Sequence, residues 1–167
     1  MRVEELLDIL KKAGCEEDVI KHILAVKDVA MRIASEVKIP VDKELILTGA
    51  MLHDIGRSRT HSIKHALEGV EIARGLGFDE RVLRIIERHI GAGITKDEAR
   101  ALGLPPKDYL PETPEEKIVA YADNLLNGHK EVSFEESLER FKKVLGADHP
   151  AVKRYKDLHN EIQSWKK

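Results

Sequence analysis

The spacing of apolar residues along this chain predicts an all-α protein. Apolar residues recur at intervals of three and four through almost the whole sequence, and no segment of useful length alternates with a period of two. Aromatic residues make up only 4% of the chain, so the core must consist mostly of Leu, Ile, Val and Ala. Such a core suits packed helices better than strands.

Glycine, proline and capping residues predict where the helices begin and end. The apolar spacing predicts helices over about residues 2–13, 16–37, 41–55, 62–74 and 79–90. Three further helix starts carry a hydroxyl residue followed three positions later by a glutamate, namely Thr95 with Glu98, Thr113 with Glu116, and Ser133 with Glu136. The tail from about residue 128 predicts two more charged helices.

Length and composition indicate one soluble globular domain over residues 1–167, with a core of about 16–127 and a helical extension over 128–167. A net charge of -2 gives no general attraction for nucleic acid, so nucleic acid is not the expected partner. No stretch approaches the roughly 20 apolar residues that a membrane span needs. The single cysteine, Cys15, and the charged N-terminus favour a cytoplasmic protein. A homodimer is left open.

Several histidines and aspartates fall on the apolar faces of their own predicted helices. Their sequence spacing from buried-type residues places them toward the interior, and they are His22, His53, Asp54, His65, His89 and Asp123. An inward histidine or aspartate taken alone is usually a hydrogen-bonded core residue. Taken together, these residues favour a metal site, because no lysine or arginine shares their faces to neutralise the carboxylates. Four histidines and two aspartates would suit two adjacent metals, with one carboxylate bridging them.

The remaining histidines are weaker candidates. His61 precedes His65 by four residues, a spacing that could bind one metal from a single helix, but it falls at the edge of a turn. We therefore expect His61 to contact substrate or support the site. His129, His149 and His159 fall in loops or charged helices, and we expect them at the solvated surface.

The order of His22, then His53 and Asp54 in "LHDIG", then Asp123 resembles the HD superfamily of metal-dependent phosphohydrolases. The resemblance covers about residues 16–127. It implies an all-α HD-domain helical bundle whose core holds one or two divalent transition metal ions (Fe, Mn, Ni, Co or Zn). It also implies phosphomonoesterase or phosphodiesterase chemistry on nucleotides, with Asp54 and His53 as the central catalytic pair.

A narrower likeness concerns three segments, "HALEGVEIA", "RIIERHIGAG" and "EEKIVAYADNL". They are similar to segments of the bacterial HD proteins that split symmetrical dinucleoside tetraphosphates, and to small archaeal HDIG-domain proteins. This likeness implies a two-metal site with His22, His53, Asp54, His65, His89 and Asp123 as ligands and Asp54 as the bridge. The cyclic-dinucleotide branch is a poorer match, because its GYP segment is missing and His89 is followed by "IGAG".

The expected function is hydrolysis of a phosphate ester or anhydride of a small nucleotide by a metal-activated water. Cations close to the motif in sequence are candidates for holding the phosphate, and they are Arg57, Arg59, Lys64 and Arg88, with His61 beside them. Two alternatives remain open. One is a di-iron enzyme of the oxygenase type, since helical bundles with mixed His and carboxylate ligands also hold such centres. The other is a non-catalytic module that senses nucleotides.

Overall fold

The computed structural model describes residues 1–167, and it is a bundle of nine α-helices with one very small β-hairpin. The helices are α1 (Val3–Ala13), α2 (Glu17–Glu36), α3 (Lys43–Leu52), α4 (His65–Gly75), α5 (Glu80–Glu87), α6 (Lys96–Ala101), α7 (Pro114–Asn124), α8 (Phe134–Leu145) and α9 (Pro150–Trp165). A single 3-10 turn, Ile55–Ser58, joins α3 to the segment before α4. The predicted all-α class is confirmed, and each predicted helix is present within a few residues of its expected bounds.

The centre of the bundle is formed by α2, α3, α5 and α7, which pack against one another. Their shared core is almost entirely aliphatic, as the composition predicts, with Ile23, Ile46 and Ile118 completely buried. One continuous apolar cluster reaches from Leu6 of α1 to Ile162 of α9. The last two helices therefore share the core of the bundle.

The third helix ends earlier than its apolar pattern predicts. The helix stops at Leu52, so His53 occupies its C-terminal cap and Asp54 lies in the turn beyond, with φ of -106° and ψ of 14°. The prediction of a regular helix over residues 41–55, which would include both residues, is therefore wrong at its C-terminal end. Both side chains are nevertheless buried, as predicted, because the irregular backbone directs them into the same interior space.

Two glycines allow the turn after Asp54 to pass very close to α4. A Cβ atom added to Gly56 would lie 1.8 Å from the carbonyl oxygen of His65 and 2.6 Å from the amide nitrogen of Gly69. Gly69 in turn faces the backbone nitrogen of Gly56, and its own Cβ would lie 3.3 Å from that atom. This backbone contact brings the start of α4, and with it His65, against the segment that carries His53 and Asp54.

The β-hairpin is the one element that the apolar pattern misses. Strands β1 (Leu126–Asn127) and β2 (Lys130–Glu131) pair in antiparallel fashion around a turn at Gly128, whose φ is +66°. Strands of two residues are too short to show a period of two in the sequence. The hairpin lies against α2, and it connects α7 to the C-terminal helices.

Of the three predicted capping patterns, only the one at Thr95 forms completely, with both Thr95 and Glu98 hydrogen-bonded to the backbone of the other. Thr113 and Ser133 each accept a hydrogen bond from the expected backbone N–H. The carboxylate of Glu116, however, accepts from Arg88 and from the amide of Glu112. Its buried position gives it a partner that local sequence does not reveal.

Candidate metal centre

Six side chains from distant parts of the chain converge in the core of the bundle, and they form two groups of ligand-type atoms. Within each group the atoms lie within 4.8 Å of one another. The first group consists of His22, His53, Asp54 and Asp123, and the second of Asp54, His65 and His89. The structure thus brings together all six residues that the sequence analysis proposed as ligands.

Asp54 belongs to both groups, and each of its carboxylate oxygens faces a different pair of histidines. Oδ2 lies 3.5 Å from Nε2 of His22 and 3.6 Å from Nε2 of His53. Oδ1 lies 3.3 Å from Nε2 of His65 and 3.2 Å from Nε2 of His89. This division of the two oxygens is the geometry that a carboxylate needs to bridge two metals.

The four histidine rings are all oriented in the same way. Each Nδ1 lies within hydrogen-bonding distance of a backbone carbonyl oxygen, which can only accept, so Nδ1 carries a proton. The other ring nitrogen, Nε2, therefore points to the centre in every case. The pairs are His22 with Gly128 (2.6 Å), His53 with Ala50 (2.6 Å), His65 with Ser62 (2.8 Å) and His89 with Ile86 (2.7 Å).

Two atoms at the centre show that protein groups alone do not satisfy the site. Nε2 of His53 and Oδ1 of Asp54 are buried without a hydrogen-bond partner. A buried polar atom without a partner is costly, and most proteins avoid it. Imidazole nitrogens with a fixed Nδ1 proton and converging carboxylates are the donor set of divalent transition metals. The residues present therefore fit one or two such ions.

The ionisable groups of the centre shift one another's pKa values. Burial opposes ionisation of Asp54, but the neighbouring histidines outweigh it and hold the pKa of Asp54 well below its ordinary value. The pKa of Asp123 is likewise lowered, because the hydrogen bond from His22 and the nearby charge of His53 outweigh its burial. Burial would lower the pKa of His53, yet the charges of Asp54 and Asp123 raise it to about 9. A proton on His53 thus partly offsets the charge of the two carboxylates.

The centre opens to solvent through a cavity of about 280 Å³. Its lining residues are Asp18, Val19, His22, Asp54, Arg57 and His61. The Arg57 guanidinium lies 3.3 Å from Oδ2 of Asp54, and about a third of this side chain is exposed. A cation and a histidine at the mouth, beside a buried carboxylate, could contact an anionic group that enters from solvent.

The other predicted substrate residues do not line this cavity. Arg59 pairs with Glu68 and Glu71 of α4, and Lys64 is exposed at the start of that helix. Arg88, directly after α5, forms an ion pair with the buried Glu116 of α7. This ion pair links the two helices. Arg57 and His61 are therefore the two predicted substrate residues that the structure places in the cavity.

Two features of the site are absent from the sequence analysis. Asp18 lines the cavity, and the backbone oxygen of Gly128 orients His22. A carbonyl group leaves no signature in the sequence, whereas Asp18 precedes His22 by four residues and thus shares its helix face. His159 also differs from expectation, because it stacks on Phe134 and contacts Tyr121 rather than lying free in solvent.

The comparison with protein families decides which family this is. Residues 19–128, well over half of the chain, match the HD domain. The chain belongs to the HD domain family. All six proposed ligands lie within the matched residues, and the all-helical bundle is the HD domain fold.

Two relatives illustrate how this HD domain occurs elsewhere. An uncharacterized protein of Methanocaldococcus jannaschii is 54% identical over 167 residues, which cover 98% of both chains. A tRNA (cytidine(56)-2'-O)-methyltransferase of Picrophilus torridus is 46% identical over 162 residues, covering 96% of this chain but only 46% of that enzyme. The present chain thus spans the whole of one relative and less than half of the other.

Among solved structures, the HD domain of the L. monocytogenes phosphodiesterase PgpH has a TM-score of 0.57 with 17% identity, covering 95% of this chain and 97% of that one. A second structure of that domain, in complex with cyclic-di-AMP, has a TM-score of 0.56. Likeness at this identity shows the HD fold and not the substrate. None of the nine helices has the length and hydrophobicity of a membrane span.

Proposed function

We propose that this HD domain protein is a metal-dependent phosphohydrolase that acts on a phosphate ester or anhydride of a small nucleotide. Phosphomonoesters, phosphodiesters and dinucleoside polyphosphates are the substrates to consider. The observation that carries the proposal is Asp54, whose two oxygens face two separate histidine pairs at the inner end of an open cavity. Bound divalent ions at such a centre lower the pKa of water and stabilise negative charge on phosphoryl oxygens.

The chain's own residues would hold that centre with little rearrangement. His53, His65 and His89 are buried, and a carbonyl within the same turn fixes each ring. Asp54 would bridge the two ions, and Asp123 would complete the first group together with His22. Because ligands that are already oriented lose little conformational freedom on binding, this arrangement favours tight metal binding.

Arg57 and His61 would bind the phosphate of the substrate at the mouth. The Arg57 guanidinium can form paired hydrogen bonds to two phosphate oxygens, a geometry that a lysine does not offer. In the structure this guanidinium lies 3.3 Å from Oδ2 of Asp54. A cation held by Asp54 would neutralise its carboxylate, and the guanidinium would then be available for an incoming phosphate.

The proposal is tested by nucleotide turnover with metal-supplemented protein, measured by chromatography of the nucleotide products together with assay of released phosphate. Purified protein, loaded in turn with Mn, Co, Ni, Zn and Fe(II), is offered nucleoside mono-, di- and triphosphates, cyclic dinucleotides and dinucleoside tetraphosphates. We expect turnover of at least one class, its loss in Asp54→Asn, and its retention in Asp157→Asn, which changes an exposed aspartate of α9. Equal inactivity of all three proteins across these substrates would overturn the hydrolase proposal.

Two other outcomes of the same experiment would assign a different function. Tight nucleotide binding without turnover would indicate a sensing module, and activity that needs oxygen and ferrous iron would indicate a di-iron enzyme. Either outcome would contradict phosphate hydrolysis. The six proposed ligands are compatible with a hydrolase, a sensing module and a di-iron enzyme, so the activity decides among them.

A second candidate substrate is the phosphate of RNA. It is favoured by the 46% identity to part of a tRNA methyltransferase over nearly all of this chain. The net charge of -2 supplies no general attraction for RNA, so binding would depend on local contacts at the cavity. Adding tRNA and short RNA with 3′- or cyclic phosphate ends to the screen separates this candidate from small nucleotides.

A further inference from the structure

His22 differs from the other three histidines of the centre in the source of its orienting carbonyl. The rings of His53, His65 and His89 each use a carbonyl three residues earlier in the chain. His22 uses the carbonyl of Gly128, which lies 106 residues away. The direction in which His22 points its Nε2 therefore depends on the position of the β-hairpin.

The hairpin cannot hold that position by itself. It has only two paired residues in each strand, from Leu126 to Glu131, and isolated two-stranded hairpins are marginally stable at best. The turn residues from Asn127 to Lys130 are exposed and contribute little to the core. Contacts with neighbouring helices must therefore fix the Gly128 carbonyl beside His22.

Leu126 anchors the first strand in the hydrophobic core, and arginines of two helices supply the polar contacts. Arg32 of α2 donates two hydrogen bonds to the carboxylate of Glu131, at 2.8 and 2.5 Å, from one guanidinium edge. On the other side, Arg140 of α8 donates to the carbonyl oxygens of Asn124 and Leu126. Arg32 lies on the same helix as His22, so its bond to Glu131 fixes the hairpin against the element that carries the ligand.

We propose that Arg32 and Glu131 are positioning residues of the metal centre, which act on His22 through the Gly128 carbonyl. Neither side chain belongs to the ligand groups, and both are about half exposed, so their contribution to overall stability is small. Their effect should fall on the first ligand group, which contains His22, and not on the second group of Asp54, His65 and His89. This inference rests on the proposed metal centre, but not on hydrolysis.

The test is a calorimetric titration of the metal-free full-length protein with Co²⁺, with the visible absorbance of bound cobalt as a second readout. Loss of a group that orients a ligand typically costs 10–100-fold in metal affinity. We expect Arg32→Ala and Glu131→Ala each to weaken binding at one of two sites by about tenfold. The double variant should be no worse than either single one, because both changes break the same contact.

A matched control is Arg81→Ala. Arg81 forms an ion pair with Asp42 that is similarly exposed and also joins distant parts of the chain, but away from the hairpin. The Arg81→Ala variant should bind cobalt with the same affinity as the wild type at both sites. The inference is overturned if Arg32→Ala and Glu131→Ala match wild type, if both sites weaken equally, or if the double variant shows the sum of both losses. Absence of cobalt binding in wild type would instead overturn the metal centre, and the inference with it.

Discussion

The Nε2 atom of His65 lies 3.1 Å from the Nε2 atom of His89, while Nδ1 of each ring faces a backbone carbonyl oxygen. With the protons on Nδ1, two lone pairs point at each other across this gap. Lone pairs at this distance repel unless a cation or a proton lies between them. Oδ1 of Asp54 completes the group, at 3.3 Å from one ring and 3.2 Å from the other.

The first prediction follows from that pair of rings. His65→Ala should lower the number of bound metals from two to one, because the group containing His22 keeps all its ligands. Elemental analysis of metal-loaded protein measures this directly. His61→Ala is the control, since His61 is exposed and precedes His65 by four residues, and it should keep both metals. Two metals in His65→Ala would remove the second site.

The second prediction separates two arginines that are adjacent to the motif in sequence. Arg57 lines the cavity, whereas Arg59 pairs with Glu68 and Glu71 on the outside of α4. Once a substrate is known, Arg57→Ala should raise KM by about tenfold or more, as expected for loss of a charged hydrogen bond. Arg59→Ala should change KM less than twofold. Steady-state kinetics decide the matter, and equal effects would refute the assignment of Arg57 to the phosphate.

The third prediction concerns pH. In the metal-free protein the charges of Asp54 and Asp123 overcome burial and raise the pKa of His53 to about 9. A raised histidine pKa stabilises the fold below the unfolded value of about 6.5, and this stabilisation is lost as pH rises through about 9. The metal-free protein should therefore melt at a lower temperature at pH 9.5 than at pH 6.5.

Metal binding should respond to pH in the opposite direction. A metal must displace the proton from His53, so affinity should rise by about tenfold per pH unit between pH 7 and 9 while one proton is released. Chelator-competition titrations at several pH values measure this slope. Affinity that is constant over this range would show that His53 is already neutral in the metal-free protein.

The fourth prediction tests the backbone contact between the turn after Asp54 and α4. Gly56→Ala should destabilise the protein by more than about 4 kcal/mol, because its Cβ would overlap the carbonyl of His65. Gly75→Ala is the matched control, since no atom lies within 4 Å of a Cβ there and its φ is not positive. It should be neutral or stabilise by up to about 1 kcal/mol. Thermal and denaturant unfolding give both values, and comparable stabilities would contradict the close contact.

The sequence alone was sufficient to predict the helical class and the convergence of the six polar residues. Helical periodicity reports which side chains face inward, and the inward His and Asp residues showed no basic partner on their predicted helix faces. That premise was wrong for Asp54, because Arg57 lies in the turn beyond the helix and comes within 3.3 Å of its Oδ2. The same pattern could not show that α3 stops at Leu52, because the last apolar residues continue into a 3-10 turn with similar spacing. Helix ends are set by backbone contacts that the pattern does not encode.

Long-range ion pairs were the other part that sequence could not supply. Arg88 follows α5 directly before the proposed ligand His89 and was predicted to contact phosphate, but in the structure it pairs with the buried Glu116. Glu116 was predicted to form a local capping pair with Thr113, because it follows that residue by three positions. Each residue has a plausible local interpretation, and only the packing of α5 against α7 shows that they are partners.

The two C-terminal helices give this protein a folding unit larger than its recognisable family segment. Tyr155 of α9 is completely buried, and Arg140 of α8 caps the carbonyl groups that follow α7. A fragment cut at residue 128 would uncover the apolar face of α7 and leave those carbonyls without their donor. The segment by which this family is recognised thus ends inside a shared hydrophobic core, and an engineered fusion should carry the chain through Trp165.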